Sequence, residues 1–200
     1  SRRGGETGVA SVEFLSGDEV WKAAKQGRWS IELAHEAMKA ELGKPLEDLR
    51  TVPGEPRRPA HALLITYRDG TRATILRIGQ DSTRWNFACR MNGKPTIHST
   101  AFYVGPWDNR NLFKALSHSI QHHFKTRRSP YPIERTLLVT GTLEAVMRAT
   151  RQPGKPLPTP ELGIAYQPTD FRAMREMGAT WTLLTPDVPQ PPGIHKLNRS

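Results

Sequence analysis

Three histidines in the second half of the chain have the residue type and spacing that metal sites use. His118 and His122 are four residues apart, so a helix would carry both on one face, with His123 beside them. Apolar residues at helical spacing in the same stretch define the opposite face, which turns these histidines toward solvent. No acidic residue stands next to them as a further ligand, and zinc sites need three or four ligands. The pattern predicts a solvated helix face and no metal.

The glycine-rich segment Gly4-Gly5-Glu6-Thr7-Gly8-Val9 has the composition of a phosphate-binding loop. Dinucleotide-binding loops need G-x-G-x-x-G between a strand and a helix, whereas this segment runs into a predicted strand. Two interpretations remain open: glycines that set a turn, and a loop that faces a ligand. Glu6 and Thr7 are therefore candidate substrate or interface residues.

A second group of candidates falls on predicted strands. One face of a sheet that is free of helices must meet solvent, another subunit or a partner domain. Arginine and tryptophan are enriched at the centres of protein interfaces. A plain solvated face and a substrate or oligomer surface both remain open. The candidate residues are Arg72, Arg84, Trp85, His98 and Tyr103.

The net charge of +10 raises the question of a nucleic-acid partner, because basic surfaces attract phosphate. The basic residues are spread through both halves of the chain, with short pairs such as Arg57-Arg58 and Arg127-Arg128. No RNA-binding signature, zinc-finger spacing or arginine-rich run is present. The distribution argues against nucleic-acid binding.

Cysteine content and hydropathy bear on the compartment. Cys89 is the single cysteine, so the 200 residues contain no intrachain disulfide, which favours a cytoplasmic location. Its apolar surroundings predict a small hydrophobic residue and not a nucleophile. No apolar run approaches the ~20 residues of a membrane span. We expect no membrane partner.

Two dipeptides give the clearest structural signal. Asp69-Gly70 and Asn92-Gly93 are two-residue turn sequences that tolerate the positive φ angles of tight hairpins. Each stands between segments rich in aromatic and β-branched residues, as half-buried strands require. The sequence predicts four successive antiparallel strands, at 61–68, 71–78, 84–91 and 94–104.

Helices are predicted on both sides of these hairpins. Ser16 and Glu19 have capping-box spacing for a short first helix, and Ser30 can cap a second that Gly43 ends. A later helix carries an apolar stripe that is expected to be buried, formed by Phe113, Leu116, Ile120 and Phe124. The helix after it is apolar around much of its circumference, as in a helix packed on both sides. The predicted ranges are helices 17–26, 31–42, 110–125, 133–150 and 169–178, with strands at 8–15 and 161–166.

This order of elements predicts an α+β domain over residues 1–168. Its sheet is an open, mostly antiparallel one of about six strands, covered by helices on one face. Residues 169–200 contain four prolines near the end and predict a poorly ordered C-terminal tail.

Several segments stand in an order that points to a known family. They are Gly4-Gly5-Glu6-Thr7-Gly8-Val9, Gly17-Asp18-Glu19-Val20-Trp21-Lys22, Gly27-Arg28-Trp29-Ser30, Tyr67-Arg68-Asp69-Gly70-Thr71-Arg72-Ala73-Thr74 and Pro130-Tyr131-Pro132-Ile133-Glu134-Arg135-Thr136-Leu137-Leu138. Through them the chain, from about Gly4 to Tyr166, resembles the C-terminal domain of a bacterial subgroup of the Gfo/Idh/MocA-like oxidoreductases.

The resemblance implies a two-domain enzyme. An upstream Rossmann domain would bind NAD or NADP, and this domain would shape the pocket for a small-molecule substrate and support a homo-oligomer through its sheet. The Glu-Lys-Pro motif of the family belongs to the upstream domain, so no catalytic or cofactor-binding residue is assigned to this chain. The alternative is a non-catalytic protein-binding or assembly domain that uses its open sheet face.

Overall fold

The described strands form two separate antiparallel sheets, and not the single open sheet of about six strands that is predicted from the sequence. In a computed structural model of the protein, the described residues are 4–51, 59–78, 85–102 and 110–170, without the side chains of 102 and 110–115. Over this part of the chain there are six strands and four α-helices, which confirms the predicted α+β class. In chain order the elements are β1 Val9–Ser16, α1 Asp18–Lys25, α2 Ile31–Leu42, β2 His61–Tyr67, β3 Arg72–Arg77, β4 Trp85–Arg90, β5 Ile97–Phe102, α3 Arg110–Thr126, α4 Ile133–Ala149 and β6 Leu157–Pro158.

The larger sheet has the strand order β3-β2-β1-β6, with β1 in its interior. β2 and β3 form the predicted hairpin across Asp69-Gly70. Gly70 has φ +82, and the Asp69 carboxylate accepts the N–H of Thr71 at 2.9 Å. A side chain that bonds to the backbone two residues ahead stabilises such a turn. The N–H of Tyr67 donates to the carbonyl of Thr71, so the loop is Arg68-Asp69-Gly70, one residue longer than the predicted two-residue turn.

The second predicted hairpin, β4 and β5, forms a sheet of its own that packs on α2. Its loop around Asn92-Gly93 is longer than two residues, because the last pair of the ladder is Arg90–Ile97. Polar contacts fix the hairpin to the helix: Arg90 pairs with Glu32, and the Asn86 amide donates to Glu41. The four strands are thus two hairpins in two sheets.

The larger sheet buries apolar side chains on both of its faces. Leu15 and Ala62 belong to a core cluster with Val20 and Trp29, on the α1 side. Val12 and Ile65 belong to a second cluster, with Leu138 of α4. Because successive strand residues point to opposite faces, these clusters lie on the two sides of the sheet. The prediction that helices cover one face of the sheet is therefore wrong for the larger sheet, because helices pack on both of its faces.

The helix caps agree with the sequence at α2 and differ at α1. The Ser30 hydroxyl accepts the N–H of Leu33 at 3.2 Å, and Gly43 ends α2 at φ +69, both as predicted. The predicted capping box of α1 is wrong, since Gly17 is the N-cap and no side chain caps the helix. Ser16 is instead the last residue of β1, opposite His61.

The expected burial of the two long helices is wrong over much of their surface. On α3, the predicted buried stripe is exposed at Leu116, Ile120 and Phe124. The inner face of α4 packs on β1 as expected, but its outer apolar residues are between 59% and 72% exposed. These outer residues are Ile133, Leu137, Val139, Leu143 and Met147.

The strand predicted over 161–166 is also wrong. Pro160–Leu162 forms a 3-10 turn, with the N–H of Leu162 donated to the carbonyl of Thr159. Proline favours such a helical start because its missing N–H would have no partner there. Pairing with β1 occurs earlier, at β6, and Tyr166 forms an isolated bridge with Glu6.

The chain divides into two compact units. The first contains Ser1–Phe102 and Ile133–Gln167, and the second contains Tyr103–Pro132 and Pro168–Ser200. The predicted boundary at residue 168 and the C-terminal tail stay predictions, because residues 171–200 lie outside the described part. The predicted helix over 169–178 falls largely there too.

Gly141 in α4 gives a first testable consequence of close packing. A Cβ at this position would lie 2.5 Å from Cδ2 of Leu162, a side chain that is itself buried. Alanine gains about 1 kcal/mol in helix propensity over glycine, whereas overpacking costs about 1–3 kcal/mol. We expect Gly141→Ala to lower the free energy of unfolding by about 1 kcal/mol. Urea denaturation in a double-mutant cycle with Leu162→Ala measures this, and the penalty should vanish in that background.

Candidate functional site

A buried carboxylate stands in the middle of β1. Glu13 is 5% exposed, although glutamate is almost never fully buried unless paired. One of its carboxylate oxygens, Oε2, accepts a hydrogen bond from the Arg28 guanidinium. The other, Oε1, has no hydrogen-bond partner among the described residues. An unpartnered buried acceptor costs about 1–3 kcal/mol, so Oε1 is a candidate acceptor for a bound ligand.

The position of Arg28 follows from the end of α1. Gly27 has φ +70, which reverses the chain direction, and the N–H of Arg28 donates to the carbonyl of Ala23 at 2.9 Å. The next residue, Trp29, is buried and donates its indole N–H to the carbonyl of Val20 at 2.8 Å. Arg28 is therefore held between two anchored neighbours and placed against β1.

The strand register places further polar side chains beside Glu13. Cross-strand pairing puts Ser11, Thr66 and Arg72 in one row across β1, β2 and β3. It puts Glu13, Leu64 and Thr74 in the adjacent row on the same face. The third row, Leu15, Ala62 and Leu76, belongs to the apolar core on the α1 side. The same sheet face is therefore apolar at one end and polar at the other.

The polar end of this face forms a cleft of about 260 Å³. We refer to it as the Glu13 cleft. Its two arginines and one glutamate give it a formal charge of +1. Such a combination of hydrogen-bond donors, acceptors and charge can fix the orientation of a small polar ligand. The polar residues that line the cleft are Ser11, Glu13, Arg28, Thr66, Arg72 and Thr74.

A second cleft, of about 340 Å³, lies between α1 and the segment after α2. Its wall includes Trp21, whose ring the Arg50 guanidinium covers at 5.2 Å from the centroid. This contact is a cation–π pair within the fold. The stacked arginine occupies the aromatic surface that a ligand would use, so this cleft is the weaker candidate.

Four other residues proposed from sequence, Glu6, Thr7, Trp85 and His98, do not line the Glu13 cleft. Glu6 accepts the N–H groups of Thr7 and Gly8 at 2.8 and 3.0 Å, which is turn geometry. Trp85 and His98 lie on the face of the β4–β5 hairpin that carries Phe87. The side chains of Trp85 and Phe87 are 60% and 49% exposed. Arg84 and Tyr103 are outside the described residues. The structure brings Arg72 to the Glu13 cleft and places Glu6, Thr7, Trp85 and His98 elsewhere.

His118, His122 and His123 are exposed on α3, which confirms the predicted solvated face. The ring nitrogen Nδ1 of His123 lies 3.0 Å from the carbonyl oxygen of Arg128. Over the described ranges, no three acidic, cysteine or histidine side chains come together as a metal site would need. In the same part of the chain, no helix has the length and apolar content to span a membrane.

Comparison with protein-family models, with curated proteins and with solved structures found no match. Function is therefore inferred from the surfaces of the molecule.

Glu13 and Arg28 were not among the candidates from sequence. The available signal was a glutamate inside the apolar stretch Val12-Glu13-Phe14-Leu15, because a charge at such a position requires a partner.

Proposed function

We propose that this chain is the C-terminal substrate-pocket and oligomerisation domain of an NAD(P)-dependent oxidoreductase. A nucleotide-binding domain would dock on the outer face of α4 and bind NAD or NADP. The observation that carries the proposal is the apolar outer face of α4, which a protein partner would cover. The identity of that partner as a Rossmann domain rests on the resemblance of the sequence to Gfo/Idh/MocA-like oxidoreductases.

The outer face of α4 has the composition of an interface core. Its five large apolar residues share the surface with two threonines and Glu144, on the side opposite the buried Leu138, Ala145 and Ala149. A helix of this length extends about 26 Å. Burial of five side chains of this size contributes on the order of 5 kcal/mol or more. Contiguous apolar patches of several hundred Å² on a protein surface mark interaction sites.

The Glu13 cleft would serve such an enzyme as a part of its substrate pocket. It lies on the sheet, whose rigid strands hold polar side chains in fixed register. The reaction itself would use groups of the docked domain. In that division of labour, the charged Glu13 cleft of the present chain would hold the substrate.

Two substitutions on α4 test the docking. We expect Leu137→Glu with Leu143→Glu to fold normally, because both side chains are exposed, and to abolish the complex with a nucleotide-binding domain encoded beside this chain. Co-expression followed by light scattering and NAD(P)-linked turnover would measure this. Gln152→Glu with Lys155→Glu adds two carboxylates at exposed positions and should leave the complex intact. A neighbouring gene region without a nucleotide-binding domain, or an unaffected complex, would contradict the proposal.

The second candidate function is a non-catalytic assembly domain. The observation that favours it is the exposed aromatic face of the β4–β5 hairpin, which includes Trp85 and Phe87. Aromatic residues on an open strand face are typical of protein contacts. An oligomer that forms through this face and shows no NAD(P)-linked turnover with any neighbouring domain would support assembly over catalysis.

A further inference from the structure

The Glu13 cleft has an unmet need for a hydrogen-bond donor. Arg28 already neutralises the Glu13 carboxylate through Oε2, and Oε1 remains without a partner among the described residues. A carboxylate oxygen only accepts hydrogen bonds, so its missing partner must be an O–H or N–H group. The hydroxyls of Ser11, Thr66 and Thr74 line the same cleft and can donate or accept.

The cleft also has an unmet need for an anion. Arg72 is exposed at the end of the row that contains Ser11 and Thr66, and it has no ion-pair partner in the described part of the chain. Because Glu13 and Arg28 neutralise each other, Arg72 supplies the excess positive charge of the cleft. A guanidinium binds a carboxylate through two parallel hydrogen bonds, which is the geometry that arginine favours.

We propose that the Glu13 cleft binds a small hydroxycarboxylic acid. The carboxylate of the ligand pairs with Arg72, and its hydroxyl group donates to Glu13 Oε1 after a small rotation of that side chain. A hydroxyl fits better than an ammonium group, since an ammonium would stand beside the Arg28 guanidinium and be repelled. The volume of about 260 Å³ suits a ligand of a few carbon atoms, below the ~300–1,000 Å³ of drug-sized pockets.

The inference deepens the proposed function by naming the ligand class of the same cleft, and it is tested on this chain alone. Glycerate is the probe, with propionate and glycerol as matched compounds that share its three-carbon skeleton and lack either the hydroxyls or the carboxylate. Amide NMR titration of the 200-residue chain reports the binding constant and the location. We expect glycerate to bind at least about ten-fold more tightly than either control.

Three variants separate the parts of the proposal. Arg72→Gln should weaken glycerate binding by at least about ten-fold, whereas Arg77→Gln, on the same strand and the opposite face, should leave it unchanged. Glu13→Gln should narrow the preference for glycerate over propionate, whatever its effect on absolute affinity. Equal binding of propionate and glycerate, an unaffected Arg72→Gln variant or shifts remote from β1–β3 would overturn the proposal. The proposal of docking through α4 would still stand in that event, because complex formation is measured in a separate experiment.

Discussion

Gly8→Val is expected to destabilise the first unit strongly, with a loss of about 3–5 kcal/mol in the free energy of unfolding. Gly8 has φ +90, a backbone conformation that residues with a branched Cβ rarely adopt. A Cβ there would lie 2.3 Å from the carbonyl oxygen of Leu162 and 2.7 Å from the nitrogen of Ile164. Both are backbone atoms, so no side-chain rotation relieves the clash.

The test is denaturant unfolding followed by far-ultraviolet circular dichroism. Gly43→Ala is the matched control, since Gly43 also has a positive φ, +69, and an added Cβ would meet no heavy atom within 4 Å beyond its chain neighbours and its own helix. This control should cost about 1–2 kcal/mol, the contribution of the left-handed conformation alone. If Gly8→Val unfolds at the same denaturant concentration as the control, the close approach to Leu162 and Ile164 is not a structural requirement.

Trp29→Ala should cost about 3–5 kcal/mol of stability. Trp29 is 5% exposed in the core cluster that joins α1, α2 and β1, and its ring lies 6.2 Å from that of Trp21. Alanine would leave a cavity, and the carbonyl of Val20 would lose the indole N–H that it accepts at 2.8 Å. Loss of Trp29 should also release the preceding residue, Arg28, from its fixed position in the Glu13 cleft.

Trp29→Phe separates the two contributions. Phenylalanine keeps most of the apolar contact and removes the hydrogen bond, so we expect a smaller loss of about 1–2 kcal/mol. Urea denaturation of the two variants gives both values. Equal losses would mean that the hydrogen bond to Val20, and not the volume of the ring, holds this cluster together.

Turns and caps that form through contacts between neighbouring residues could be predicted from the sequence. The Asp69-Gly70 hairpin and the Ser30 cap each form through contacts within three residues, which the sequence pattern contains. A glycine inside a helix such as α4 is favoured where packing is close, and Leu162 fills the space of the missing side chain at Gly141. Which residue would approach Gly141 could not be predicted, because that contact joins α4 to a later turn.

The Glu13 cleft could be predicted only in part, for reasons of register. Arg72 was a candidate from residue type alone. Its neighbours come from strands that are distant in the chain, and a shift of one residue in the β1–β2 pairing would send Glu13 to the other face. The outer face of α4 illustrates the opposite error. Apolar residues around a helix indicate burial, but they do not show whether the covering surface belongs to the same domain.

The short strand β6 has a consequence for aggregation. The N–H of Thr159 donates to the carbonyl of Ala10. Because backbone N–H groups alternate in direction along a strand, the backbone nitrogen of the preceding residue, Pro158, faces away from β1. Proline has no N–H to offer there, and Pro156 and Pro160 flank it. This edge of the larger sheet therefore resists addition of a further strand, a common protection against strand-to-strand polymerisation. Growth into fibrils through the β6 edge is disfavoured even when the apolar faces of the molecule find partners.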